Sequence, residues 1–237
     1  MNKNSLNTLF NIFFNKDFSR NVALSFSQTG EDSIINFIFK NLRINNPSYI
    51  DIGAYDPFLF SNTASFYFFN GRGINIEPNP IKFQKLKKYR PRDINLNIGI
   101  SSKKGLLTYY VMDADTLNTF SEAEANKNVE KWGKKIIKTM DIPVDTVDSV
   151  IAEHSNGVYP DFMDIDAEGV ELDVLEKIDF HTSKPKVICC ETLEYSETGI
   201  AKNITTTVDF LRSKGYFVFA NTHINTIMVD EFLWKNR

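Results

Sequence analysis

Between Tyr49 and Pro80 the chain reads YIDIGAYDP, then SNTASFYFFNGRG, then INIEPNP. Two short apolar runs flank a stretch that opens on a serine and stops at a pair of glycines. That is the pattern of strand, helix and strand. Strands joined through a helix run parallel, because a tight hairpin reverses the chain and a helical crossover restores its direction. Repeated alternation of strand and helix over the first hundred residues argues for a parallel sheet. This segment commits the chain to an α/β sheet before the rest is read.

The alternation extends in both directions. Thr29-Gly30-Glu31-Asp32 reads as a helix start, with a capping hydroxyl and acids in the first turn. The apolar face of Ile34, Ile35, Phe37, Ile38 and Leu42 follows, and Pro47 closes it. Strands are expected at Ser48–Ile52, Gly73–Glu77 and Ile94–Ile100, with helices at Ser61–Asn70 and Pro80–Arg90 between them. Leu106–Met112 reads as a further strand. The polar segment 113–138 is a loop with a helix, where a substrate lid would sit. Ile142–Val144 is short and extended, and Thr146–His154 is helical. Alternation resumes with strand Asp161–Asp166, helix Val170–Ile178, strand Lys186–Thr192 and helix Ile204–Lys214. It ends in a hairpin, Tyr216–Ala220 and Thr226–Val229, around a turn at 221–225. The expectation is one domain over 27–237 behind an N-terminal extension, 1–26. No internal repeat is found.

The composition, 42% hydrophobic over 237 residues, supports one such core. A formal charge of −3 argues against a nucleic-acid partner. Basic residues cluster at Lys82–Lys88 with Arg90 and Arg92, and at Lys131–Lys138. Both clusters read as solvated helix faces, with a patch steering a phosphate-bearing substrate as the alternative. Cys189 and Cys190 are neighbours in a strand and point to opposite faces, so they read as reduced, buried thiols of a cytoplasmic protein. No apolar run reaches the roughly 18 residues of a membrane span. The first twenty residues lack a cleavage site. They read as a peripheral cap, with a helix docking on a partner or membrane as the alternative.

In an open α/β sheet, ligands bind beyond the carboxyl ends of the strands. Asp51, Gly53 and Ala54 stand at that end of the first strand. Glu77, 24 residues beyond Gly53, ends the second, where a carboxylate can accept both ribose hydroxyls. A dinucleotide turn carries three glycines so that pyrophosphate can lie on backbone amides. Here the turn is G-A-Y-D-P, and Asp56 would repel a pyrophosphate. A cationic cofactor without phosphate suits it, and S-adenosylmethionine fits. Gln28 and Asn62 precede the two helices that would border the cofactor, placed to hold its methionine carboxylate or amino group.

Four segments carry a family resemblance: SQTGED (Ser27–Asp32), YIDIGAYDP (Tyr49–Pro57), INIEPNP (Ile74–Pro80) and DFMDIDAEGVELDVL (Asp161–Leu175). On these the chain resembles the FkbM-type methyltransferases. The resemblance implies a Rossmann-like class I methyltransferase fold: a mostly parallel seven-stranded sheet, a terminal antiparallel hairpin and helices on both faces. It also implies S-adenosylmethionine-dependent O-methylation, commonly of a sugar hydroxyl on a nucleotide-activated sugar or a surface glycan.

A sugar hydroxyl is a poor nucleophile until its proton leaves or its oxygen binds a metal. Asp164 and Asp166, two apart at a strand end, face one side. Asp166 is the first candidate for base or metal ligand, and Asp164 for holding the strand end or the cofactor's amino group. Glu191 ends the neighbouring strand and would converge with Asp166 into a hard-oxygen site suited to Mg²⁺. His223, in the terminal turn, is a candidate proton acceptor near neutral pH. Glu168 and Glu171 read as helix-initiating acids as readily as catalytic ones. Lipid, peptide or phenolic acceptors, and a cofactor-binding module without turnover, are the competing functions. The oligomeric state is open, with a homodimer among the candidates.

Overall fold

The computed structural model describes residues 24–167, 171–193 and 204–237. The central sheet is built from β1 (Tyr49–Ile52), β2 (Gly73–Ile76), β3 (Ile94–Leu96), β7 (Phe162–Ile165), β8 (Val187–Glu191), β9 (Tyr216–Asn221) and β10 (Asn225–Asp230). Their order is β3-β2-β1-β7-β8-β10-β9. The first five are parallel, and β10 runs antiparallel to both β8 and β9. This is the mixed sheet with a closing hairpin that characterises class I methyltransferases.

Alternate residues of each central strand enter different cores. Ile50, Ile52, Met163, Ile165, Ile188, Cys190 and Met228 pack on one face. Tyr49, Phe162, Val187, Cys189, Ile227 and Val229 pack on the other. The two thiols are therefore buried on opposite faces and unpaired, as period-two alternation requires. Helix α1 (Glu31–Asn41) covers the second face, while α5 (Val147–Ser155), α6 (Glu171–Leu175) and α7 (Thr206–Ser213) cover the first. The remaining helices are α2 (Ala64–Phe68), α3 (Pro80–Tyr89), α4 (Glu122–Trp132) and α8 (Glu231–Lys235). Among the described residues no helix is long and apolar enough to cross a membrane.

Several sequence expectations are corrected. The expected strand Ile94–Ile100 splits into β3 and β4 (Gly99–Ile100), which belong to different sheets. Ile142–Val144 is the end of a ten-residue strand, β6 (Ile136–Asp145). It pairs antiparallel with β5 (Gly105–Met112) and parallel with β4, making a second, three-stranded sheet. Polar residues on its exposed half hid this strand from pattern reading. The polar segment before it holds a 3₁₀ turn at Asp115–Leu117 and α4, which Ser121 caps through the Glu124 amide. The helix expected over Ser61–Asn70 shrinks to α2, and α7 begins at Thr206 rather than Ile204. At α1 the cap is Gly30 in the left-handed region; the Ser27 hydroxyl, not that of Thr29, accepts the Gly30 amide. The expected extension 1–26 and the start of the helix expected at Val170 lie largely outside the described residues.

The basic run on α3 is not wholly solvated either. Arg90 is fully buried and Lys82 nearly so. Arg90 Nε donates to Asp93 at 2.8 Å, and its Nη1 donates to Thr63 Oγ1 at 2.9 Å. Asp93 also accepts the Tyr49 hydroxyl at 2.8 Å, the Gly73 amide at 3.0 Å and Asn75 Nδ2 at 3.0 Å. One buried carboxylate thus joins β1, β2 and the end of α3. Removing one partner of a buried ion pair leaves an uncompensated charge. Asp93→Ala is expected to cost about 3–5 kcal/mol of stability, read as a lower urea midpoint; a loss under about 1 kcal/mol would show that the network is not what holds these elements.

Candidate active site

The carboxyl ends of β1, β2, β7 and β8 open on a cavity of about 530 Å³. That is the size range of small-molecule sites. The small sheet, with the residues between β5 and α4, forms one wall, and the β9–β10 turn borders the opposite side. Gln28, Asp51, Gly53, Ala54, Asn62, Glu77, Asp164, Asp166, Glu191 and His223 all line it. Ten residues chosen from four separate stretches of sequence thus meet around one space.

The turn after β1 is built on Gly53, at φ +86°. The amides of Gly53 and Ala54 both donate to the Ile76 carbonyl at 3.0 Å. A Cβ on Gly53 would lie 1.9 Å from the carbonyl oxygen of Asp166. The glycine is therefore required by the end of β7 as well as by the turn itself. Asp56 also departs from expectation. It accepts the Phe58 and Leu59 amides at 3.2 Å and pairs with Lys85 at 3.4 Å, and it does not line the cavity. Its charge braces the loop, so repulsion of pyrophosphate by Asp56 is not what this geometry supports.

Glu77 accepts the Tyr55 amide at 2.8 Å and the Asn79 amide at 2.7 Å, which fixes its carboxylate at the cavity edge. Burial raises its pKa to about 7 against the pull of those amides. Asp51 and Asp164 are cross-strand neighbours, and both are buried. Asp51 accepts the Thr63 hydroxyl at 2.5 Å. Burial raises its pKa, and the charge of Arg90 opposes the rise. Asp164 is pushed well above the carboxylate range by burial first and by Asp51 second. Asn62 Nδ2 donates to Asp164 at 3.1 Å, while Asn62 Oδ1 is buried without a partner. An unpaired amide oxygen beside a protonation-prone carboxylate suits an ammonium group.

Further along the cavity, Asp166, Glu171 and Glu191 bring carboxylate oxygens within 4.8 Å of one another. Asp166 is exposed to the cleft, Glu171 is buried and Glu191 half-buried. Burial first, then the charges of Glu171 and Asp51, raise Asp166 to about 7. Burial, then Asp166 and Glu171, raise Glu191 to about 9. Groups this close titrate together, each raising the pKa of its neighbours. A set of hard oxygens with surplus negative charge also fits Mg²⁺. Sequence reading left Glu171 between two roles, and here it fills a helix-end role, accepting the Ala167 amide at 3.0 Å, while standing in the cluster. Its place in D-x-E-G-x-E was the available signal. Glu168 lies outside the described residues.

His223 is exposed, in the left-handed region at φ +78°. Its turn is held from α1. Glu31, fully buried, accepts Thr222 Oγ1 at 2.6 Å and Asn225 Nδ2 at 3.0 Å. Burial alone would raise the Glu31 pKa, but hydrogen bonds from Thr222, Thr29 and Asn225 prevail and hold it at about 2. On the other side, Lys82 Nζ lies 3.5 Å from the Tyr55 ring centroid and 3.0 Å from Asp115 of the small-sheet wall. Sequence reading did not single out Glu31 for the site, and placed Lys82 only within a basic run whose alternative role was steering a phosphate-bearing substrate.

Comparison with known proteins follows this geometry. The family model described as "Methyltransferase FkbM domain" matches residues 51–218. Among solved structures, the chain is similar to the FkbM methyltransferase of Methylobacillus flagellatus KT at 13% identity and TM-score 0.44, over 92% of this chain and 47% of that one. The chain thus spans about half the length of that structure. It is also similar to a precorrin-6y C5,15-methyltransferase of Geobacter metallireducens GS-15, at 17% identity and TM-score 0.39, over 83% and 87% of the two chains. A third likeness is to the delta-N METTL16 MTase domain, at 13% identity and TM-score 0.37, over 96% and 95%. No curated protein matches.

Two predictions follow from the geometry. Gly53→Ala is expected to destabilise the protein by at least about 1–3 kcal/mol, measured by urea unfolding, since both φ and the Asp166 carbonyl oppose a side chain. The carboxylate cluster gives a pH signature. Its folded-state pKa values lie above the ordinary 3.8 and 4.5, so the folded state holds protons that the unfolded chain releases. That contribution is complete below about pH 4 and is lost as pH rises through about 7 for Asp166 and about 9 for Glu191. Asp166→Asn and Glu191→Gln should therefore raise Tm at pH 9 without added divalent cation and change it little at pH 4. Scanning calorimetry showing the same Tm difference at both pH values would remove the repulsion from the account.

Proposed function

Because this chain belongs to the FkbM methyltransferase family, and so to the S-adenosylmethionine-dependent methyltransferases, we propose that it methylates a hydroxyl oxygen of a sugar. S-adenosylmethionine supplies a methyl carbon bonded to a positively charged sulfur. Glu77 accepts its ribose hydroxyls, and Asp51 with the Gly53-Ala54 turn forms the floor beneath. Asp164 and the unpartnered Asn62 oxygen take its ammonium, and Gln28 takes its carboxylate. The observation carrying the acceptor chemistry is the convergence of Asp166, Glu171 and Glu191 within 4.8 Å, one strand from that turn.

The reaction is an in-line displacement, and alignment of acceptor and methyl group supplies much of its acceleration. The acceptor hydroxyl gives its proton to Asp166, its oxygen bonds the methyl carbon, and the electron pair of the broken C–S bond stays on sulfur. A methyl ether and S-adenosylhomocysteine result. Glu191, protonated at neutral pH, donates a hydrogen bond to a neighbouring acceptor oxygen and orients it. His223, exposed at the rim, relays the proton to solvent. The same three carboxylates would hold Mg²⁺, which when bound lowers the pKa of a coordinated hydroxyl. Sugar acceptors are supported by the family resemblance and by the carboxylates, which accept hydrogen bonds from hydroxyls.

The test is S-adenosylhomocysteine release with nucleotide-sugar and glycan pools, with and without EDTA. Asp166→Asn is expected to lower kcat by about 10²–10⁴-fold while cofactor binding, followed by calorimetry, is retained. Activity should rise with pH through about 7, the Asp166 value, and a divalent cation should move that limb to lower pH. Full activity in Asp166→Asn and in His223→Ala would refute the assignment.

A further inference from the structure

The cavity has a charge imbalance that bears on what the acceptor carries. Among the described residues lining it, eight bear carboxylates; with Asp51, Glu77 and Asp164 given to the cofactor, Asp115, Glu124, Asp166, Glu171 and Glu191 are left to the acceptor, beside two lysines and no arginine. Neither lysine is unengaged. Lys82 pairs with Asp115 at 3.0 Å and Lys127 with Glu124 at 3.1 Å. Buried Arg90, behind Asp51, serves Asp93 and Thr63 and does not line the cavity.

A carboxylate is an acceptor and a glycosyl hydroxyl is a donor, so a sugar ring supplies what this lining lacks. A diphosphate supplies only acceptors and further negative charge. It is ordinarily met by arginine, lysine or helix amides, and like charges brought together across an interface oppose binding.

We infer that the acceptor is a glycosyl unit carrying no phosphate within the cavity, so that a sugar in a glycan or glycoside is the substrate and a nucleoside-diphosphate sugar is not. This rests on the sugar reading under Proposed function and narrows it.

The experiment uses the full chain saturated with S-adenosylhomocysteine, titrated calorimetrically with UDP-glucose and with inorganic pyrophosphate, with and without MgCl₂. Dissociation constants weaker than about 1 mM are expected in every arm. The double variant Asp115→Asn/Glu124→Gln frees both lysines and should bind pyrophosphate at least about tenfold more tightly. In turnover assays, neutral oligosaccharides and methyl glycosides should give higher kcat/KM than the matching nucleotide sugars. Wild-type binding of either diphosphate below about 100 μM, or preferred methylation of a nucleotide sugar, overturns the inference while leaving sugar methylation intact. Cofactor binding with no sugar of either kind methylated overturns the sugar reading and this inference with it. An unchanged pyrophosphate affinity in the double variant shows that lysine pairing is not the cause of exclusion and also counts against it.

Discussion

The contact between Gly53 and the Asp166 carbonyl is the constraint on which the rest of the site depends. A backbone oxygen occupies the volume any other residue would fill with a Cβ. The turn after β1 and the end of β7 therefore form one piece of backbone packing. Since the first borders the proposed cofactor and the second carries the proposed base, their separation is set by main-chain geometry and not by side-chain conformers. For an in-line displacement, in which about an ångström of misplacement costs orders of magnitude in rate, rigidity at this junction has direct chemical value.

The electrostatics divide around the same junction. Beneath the sheet ends, Arg90 and Asp93 neutralise each other in a buried network that leaves Arg90 Nη2 without a partner. Above them, Asp164, Asp166 and Glu191 are crowded with no cation among them, and their carboxyls are pushed upward. Structural acids elsewhere behave oppositely. Glu31 gathers hydroxyl and amide donors, and its pKa falls to about 2. The difference lies in donors: hydroxyls and amides surround Glu31, whereas burial and neighbouring acids dominate at Asp166 and Glu191.

Much of this was legible in the sequence, for identifiable reasons. Short runs rich in isoleucine between helical stretches revealed the parallel strands, because each is bounded by turn or capping residues that mark where it stops. The residues at the strand ends could be named because, in such sheets, position along a strand determines proximity to the ligand. What was not legible depended on pairing across long separations. β6 carries lysine and threonine on its solvent side, and only its partner β5 makes it a strand. Arg90 sat in a basic run and was read as solvated, since no local pattern discloses that Asp93 and Tyr49 close over it. Asp56 showed the reverse error: its charge was visible, but its engagement with Lys85 was not.

The small sheet begins at β4 and returns at the end of β6, where Gly99 pairs with Val144 and Ile100 with Asp145. Entry and exit of the whole excursion are thus neighbours, tied to each other more closely than to the tips they enclose. Such an arrangement behaves as a cassette. Its outer turns and α4 can be lengthened, shortened or exchanged while the seven-stranded register stays untouched. One wall of the cavity can therefore change by swapping one contiguous stretch, without rebuilding the strand ends of the main sheet.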